Sequence, residues 1–223
     1  MLFLVRYSEI FLKSESIRRR WENRLIRNIR KVLDCKIRRE RGRIWVITDD
    51  NRAKDKLKKI FGIVSFSECH HCKLDELNRF IIDFCKGIGI ENARTFAVRV
   101  KRVGTHDFTS QQKAAELGAI ILRNFPHLKV DLNNPEMIVY VEIRDEDCYV
   151  FNEIVKGVGG IPLGVEGKLV SLFSGGIDSP VATWLMMKRG CEIIPVYFDC
   201  SPFTDESTLN RARAVADVLK EYD

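Results

Sequence analysis

A chain of 223 residues, 45% hydrophobic and 30% charged, has enough apolar material for more than one core at ~100–150 residues per domain. Leu2-Phe-Leu-Val5 is apolar, but Arg6 and Glu9 cut it far short of a signal-peptide core, and no later run approaches the ~18 residues a membrane span needs; a cytoplasmic protein without a membrane partner is expected. Seven cysteines, at 35, 69, 72, 85, 148, 191 and 200, are an odd number without secretory context and predict reduced thiols rather than a disulfide scaffold.

The net charge of +6 is unevenly spread: residues 1–60 hold 19 Lys/Arg against 8 Asp/Glu, and residues 61–223 hold 18 against 23. Clustered charge steers polyanions, so the basic N-terminal region suits nucleic acid; the competing reading is a solvated cationic helix face that keeps the protein soluble. Residues 2–7 predict a strand. Ile17, Trp21, Leu25, Ile29, Val32 and Leu33 then recur at helical spacing, with Arg18, Arg19, Arg20, Arg24, Arg27, Arg30 and Lys31 on the outer faces. Strands around 36–38 and 43–48, joined through Arg41-Gly42, and a basic helix over 52–60 complete a small β-α-β-β-α unit, giving a first domain at 1–60.

A second domain is expected over 61–165. Its first helix runs from Leu74 to Gly87, with Leu77, Ile81, Phe84 and Cys85 on one face. Thr95–Arg102 alternates apolar and basic residues as a half-buried strand does, placing Arg99 and Lys101 on a polar face. Thr109 or Ser110 caps the next helix, which extends to about Asn124, and strands at 137–143 and 149–153 form a hairpin. The stretch 157–164 carries four glycines and a proline and reads as a linker.

After the linker, 168–173 is a short apolar run suited to a parallel strand, followed by Ser174-Gly-Gly-Ile-Asp-Ser179, a helix from about Pro180 to Arg189 and a strand at 193–198. Glycines let backbone amides approach an anion, the helix start offers unpaired N–H groups, Ser174 and Ser179 add hydroxyls, and Asp178 can hold Mg²⁺. A plain glycine turn between strand and helix is the bland alternative. No Gly-Lys-Ser/Thr follows, so this is not the usual P-loop.

Ser174–Ser179 resembles the PP-loop of the N-type ATP pyrophosphatases, and the longer string from Gly167 to Ala182, continuing through Met186-Met-Lys-Arg-Gly190, is similar to the tRNA 4-thiouridine synthetase (ThiI-type) family. Val5-Arg-Tyr-Ser-Glu-Ile-Phe-Leu-Lys13 and Gly104-Thr-His-Asp-Phe-Thr-Ser-Gln-Gln112 agree with the same family, so the resemblance spans the chain. It implies a mixed α/β and α+β fold: an N-terminal ferredoxin-like domain, an RNA-binding THUMP domain, and the start of a doubly wound parallel-sheet PP-loop domain at 166–223. The implied activity is an ATP-dependent tRNA sulfurtransferase that adenylates a uridine (position 8) and replaces its O4 with sulfur. ATP and Mg²⁺ are the implied cofactors. Leu172, Phe173, Ser174, Gly175, Gly176, Ile177, Asp178, Ser179, Tyr197 and Phe198 would form the nucleotide site, with Asp178 catalytic; ordinary core packing is the alternative for Leu172, Phe173, Tyr197 and Phe198. The resemblance makes Arg18, Arg20, Arg24, Arg27, Lys31, Arg99, Lys101 and His106 the expected tRNA contacts. A sulfur donor is also implied (a cysteine desulfurase persulfide, sulfide or an Fe-S protein), a homodimer is compatible with it, and some members serve thiamine thiazole synthesis.

Two weaker candidates stand beside this reading. Cys69-His-His-Cys72 has the spacing of half a zinc site, against a polar loop, and Cys200 is a thiol just past the second strand. About fifty residues after the linker do not close a doubly wound sheet, so a truncated chain or one completed by another polypeptide is expected. The alternative function is a non-catalytic tRNA-binding module with a vestigial nucleotide domain.

Overall fold

A computed structural model describes residues 1–7, 9–40, 42–200, 202–203 and 206–223. Ser8 of the N-terminal motif and Arg41 of the expected turn lie outside the described residues. In chain order the elements are β1 (Leu2–Arg6), α1 (Glu15–Val32), β2 (Lys36–Glu40), β3 (Arg43–Ile47), α2 (Ala53–Lys59), β4 (Ser65–Glu68), β5 (His70–Lys73), α3 (Leu77–Gly87), β6 (Thr95–Val103), α4 (Ser110–Asn124), β7 (Lys129–Val130), β8 (Met137–Arg144), β9 (Asp147–Phe151), β10 (Val155–Lys156), β11 (Lys168–Leu172), α5 (Asp178–Lys188), β12 (Glu192–Val196) and α6 (Glu206–Lys220). They divide into two compact units, one mainly of residues 3–66 and 155–223, the other mainly of 67–154.

In the first unit a five-stranded sheet has the order β10-β4-β1-β3-β2, so it reaches beyond residue 60 at both β4 and β10. Both are short strands at or beside the sheet's end and carry little hydrophobic pattern. Trp21, Leu25 and Ile29 of α1, with Leu33 at its C-cap, pack on Phe3, Val5, Ile44 and Val46, as helical spacing dictates. Ile17 departs from the expected stripe and is exposed, because it sits in the first turn, before the helix meets the sheet. Glu22 is buried instead and accepts a hydrogen bond from the Tyr7 hydroxyl; burial, then this bond, holds the Tyr7 phenol well above its usual range.

The glycine-rich stretch is a packed strap rather than a loose linker. Gly157 N donates to Val64 O at 2.9 Å, Gly159 N to Ile63 O at 2.8 Å, and Ile161 N to Lys188 O at 3.1 Å. Ile161 and Leu163 are buried along it. At Gly160 the backbone has φ +74° and a Cβ would strike the Lys188 carbonyl, so glycine serves close approach here. Beyond the strap, β11 and β12 form a separate two-stranded parallel sheet with α5 packed against both strands.

The second unit holds a sheet of order β5-β9-β8-β6-β7, in which β6 and β8 run parallel from Phe96↔Met137 to Val103↔Arg144. Helices α3 and α4 contribute Leu77, Ile81, Leu117 and Ile121 to a core with Phe96, Val98, Val139 and Val141. Residues 70–73, expected as a loop, form the edge strand β5, paired antiparallel with β9. Its His-His-Cys-Lys sequence shows no apolar alternation because an edge strand is recruited by backbone pairing as much as by burial. Leu74–Glu76 form a turn, so α3 starts at Leu77 rather than Leu74.

Candidate functional site

The chemistry-bearing loop runs between β11 and α5. The helix begins at Asp178, two residues before the expected start, so Pro180 sits within the first turn, where its missing N–H still lacks an intrahelical partner. A set of hydroxyls fixes the loop. The Ser179 hydroxyl accepts from Ser174 N at 2.9 Å and lies 2.9 Å from the Ser174 hydroxyl, which accepts from Gly176 N at 3.3 Å. Behind them, buried Thr183 donates to Ser179 O at 2.7 Å, and its hydroxyl lies 2.8 Å from that of Ser171 on β11. Sequence reasoning missed this Ser171–Thr183 pair, which ties the strand before the loop to the helix after it; the i, i+4 relation of Ser179 and Thr183 was its only signal.

Gly175 has a second reason to be glycine. A Cβ there would lie 2.7 Å from Thr208 O and 3.2 Å from Arg211 Cβ, so the loop backs directly onto α6. No side chain caps α5, whereas α4 is closed by a capping box between Thr109 and Gln112. The first-turn amides of α5 therefore face outward beside Asp178, which is exposed.

Leu172 pairs in register with Val196, and Phe173 N donates to Val196 O at 2.8 Å, so the C-terminal ends of the two strands lie side by side. Strand β12 stops at Val196; Tyr197 and Phe198 leave it next to the loop. This brings Leu172, Ser174, Gly175, Gly176, Ile177, Asp178, Ser179, Tyr197 and Phe198 to one edge of the sheet, with Ile177 84% and Phe198 66% exposed. Phe173 is buried and packs inward. Cys200 is exposed just beyond, its thiol 3.8 Å from the Phe198 carbonyl.

The expected RNA-contacting residues fall into three kinds. Arg20 and Arg27 stand exposed on α1, with Arg18 half-buried and Lys31 ion-paired to Asp223 at 3.2 Å. Arg24 is placed differently: its guanidinium is paired with Glu192 of β12 and donates to Leu163 O at 2.7 Å. It holds the strap and β12 against α1. On β6, Arg99 and Lys101 are exposed on the same strand face, and Arg99 donates to the Leu132 carbonyl. The His106 Nε2 lies 2.9 Å from Asp145 O, in the turn that leads to α4, and its ring packs against Phe108.

Cys69 and Cys72 do not make a metal hook. Three residues apart on extended backbone, they point to opposite sides: the Cys69 thiol meets Leu2 O at 3.6 Å, and Cys72 enters the core of the second unit. Among the described residues no three His, Cys, Asp or Glu side chains are grouped to hold a metal ion, and no helix is long and apolar enough to cross a membrane.

Family models match three successive segments: the ThiI ferredoxin-like domain at residues 2–67, the THUMP domain at 73–153, and the thiamine biosynthesis protein ThiI at 164–223. A crystal structure from Pyrococcus horikoshii superposes with a TM-score of 0.84 at 33% identity, covering 99% of this chain and 74% of that one. The chain belongs to the ThiI family. A second structure, described as a 4-thiouridine synthetase–RNA complex with bound ATP, superposes with a TM-score of 0.85 at 40% identity, over 99% of this chain and 58% of that one. The probable tRNA sulfurtransferase of Methanothermobacter thermautotrophicus is 42% identical over 99% of this chain, and that of Methanobrevibacter smithii 38% over 98%. The chain spans 58% and 59% of the lengths of these two relatives.

Proposed function

We propose that this chain carries the RNA-binding and nucleotide-loop part of an ATP-dependent tRNA sulfurtransferase. In this reading the O4 of a tRNA uridine, at position 8, attacks the α-phosphorus of ATP; pyrophosphate leaves, and a sulfur nucleophile then displaces AMP to give 4-thiouridine. The observation that carries the reading is the PP-loop itself: two serine hydroxyls, glycine backbone and an uncapped helix start converge at the C-terminal ends of two parallel strands. The phosphates would lie against Ser174–Ser179. Asp178 offers one carboxylate beside serine oxygens, a donor set suited to Mg²⁺, which takes one or two carboxylates plus substrate phosphates. Leu172, Ile177, Tyr197 and Phe198 would border the nucleoside.

The RNA would bind through Arg20 and Arg27 of α1, and through Arg99, Lys101 and His106 of the second unit. Arg18 and Lys31 would reinforce the field from α1, and Arg24 would act by holding that helix in place. A donor such as a cysteine desulfurase persulfide, sulfide or an Fe-S protein would supply the sulfur. A second reading, a tRNA-binding module without turnover, is favoured by one observation: the exposed Arg20 and Arg27 of α1, and Arg99 and Lys101 of β6, offer cations to a polyanion without any nucleotide site.

Pyrophosphate release from ATP and Mg²⁺, with and without unmodified tRNA, separates the two. tRNA-dependent release that Asp178→Ala abolishes, with tRNA affinity unchanged, is the expected result. Salt-sensitive tRNA binding without release would leave only the binding module. Reversing the charge of Arg20 and Arg27 should weaken tRNA binding and flatten its salt dependence, by a slope of about 0.7–0.9 per lost phosphate contact.

A further inference from the structure

Strand β5 joins the sheet of the second unit through a register that sets Cys72 directly opposite Cys148 of β9. Both residues are buried and belong to the same core cluster, so their side chains leave the sheet on the same face. Opposed residues of an antiparallel pair have Cα atoms ~4.5–5.5 Å apart, inside the ~4.4–6.8 Å window of protein disulfides. We propose that Cys72 and Cys148 are a reversible modification site that closes to a cross-strand disulfide, stapling the edge strand β5 to β9.

The surroundings select this pair. Cys85, on α3, lies in the same core with burial pushing its thiol up to about 12, and Cys69 faces Leu2 O on the other side of the strand. Cys72 sits on the sheet's outermost strand, a segment of four residues, and edge strands open locally at the lowest cost. Cys72, on the edge strand and 5% exposed, is the more accessible sulfur and attacks first; Cys148, fully buried on the interior strand β9, resolves.

With a low-molecular-weight disulfide as oxidant, the Cys72 thiolate attacks one of its sulfurs and expels the other half as a thiolate. Cys148 then loses its proton and attacks the Cys72 sulfur of the mixed disulfide, expelling the second half. Two protein thiols are oxidised, one small disulfide is reduced to two thiols, and no other co-reactant is needed. The bond would enclose α3, β6, α4, β7 and β8 in one covalent loop, which restricts the unfolded chain.

The test incubates the full chain with glutathione disulfide at neutral pH, blocks remaining thiols with N-ethylmaleimide and maps peptides without reduction. A Cys72–Cys148 linked peptide is expected, with a melting temperature raised by roughly 5 °C or more that dithiothreitol returns to its starting value. Cys85→Ser should keep both effects and Cys148→Ala should lose both; if Cys148→Ala does not fold, the peptide map of the unsubstituted chain decides alone. Cys72 and Cys148 recovered separately blocked, a Cys69–Cys72 link in their place, or a link without any thermal shift would each overturn the proposal.

Discussion

Two parallel strand pairs, β6–β8 in the second unit and β11–β12 in the first, are finished differently. The β6–β8 pair is flanked by β7 and β9, and its apolar face is sealed by α3 and α4; Val139 and Val141 are buried. Strands β11 and β12 pair only with each other among the described residues, and Val170 is 62% exposed. The first pair is held by apolar packing on the face that α3 and α4 cover. The second relies on α5, the strap and a few polar links. The same contrast appears at the helix starts: α4 satisfies its own first amides through Thr109 and Gln112, whereas those of α5 remain available beside a serine- and glycine-lined loop.

Cavity formation gives the largest expected contrast. Leu117 of α4 is 0% exposed and Leu185 of α5 is 50% exposed. Leu117→Ala should destabilise the protein by about 2–5 kcal/mol, and Leu185→Ala by less than about 1 kcal/mol, measured by urea unfolding. Equal losses would show that β11–β12 is as well covered as β6–β8.

The polar link behind the loop gives the next effect. Thr183→Val removes the bonds to Ser171 and Ser179 and should cost about 1–2 kcal/mol, while Thr183→Ser should restore most of it. Because the bond to Ser179 O sits beneath the nucleotide loop, pyrophosphate affinity should fall with Thr183→Val and recover with Thr183→Ser; calorimetry reads both.

The smallest effect concerns acid. The Asp147 carboxyl is held below its usual range by a hydrogen bond from Lys73, then by His71, and these contacts tie β5 to β9. A carboxyl depressed in the folded state adds stability above its unfolded pKa, and that stability fades as pH falls through the folded value. The melting temperature should therefore fall as pH drops below about 4 more steeply in the parent chain than in Asp147→Asn. Identical profiles would remove Asp147 from the edge pairing.

Much of this was readable in the residues. Periodicity located α1, β6 and α4 because each lays a continuous apolar face on a core, and Ser174–Ser179 reads as an anion loop because serine, glycine and aspartate between a strand and a helix suit one, a reading the proposed function carries forward. Strands β4, β5, β7 and β10 escaped, since two to four residues paired through backbone leave no periodic trace. Arg24 was grouped with the other arginines of its helix because spacing gives a helix face but not what lies against it.

By itself the sequence determined the longer helices and strands, the uneven charge and the residue types of the loop, because these follow from side-chain identity over short separations. Only the tertiary structure decided that the glycine stretch is a packed strap, that Thr183 braces Ser171, and that Cys72 meets Cys148 rather than Cys69. Each of these joins segments through backbone approach or strand register, and the long-range ones are set by how a whole sheet pairs, which no local pattern encodes.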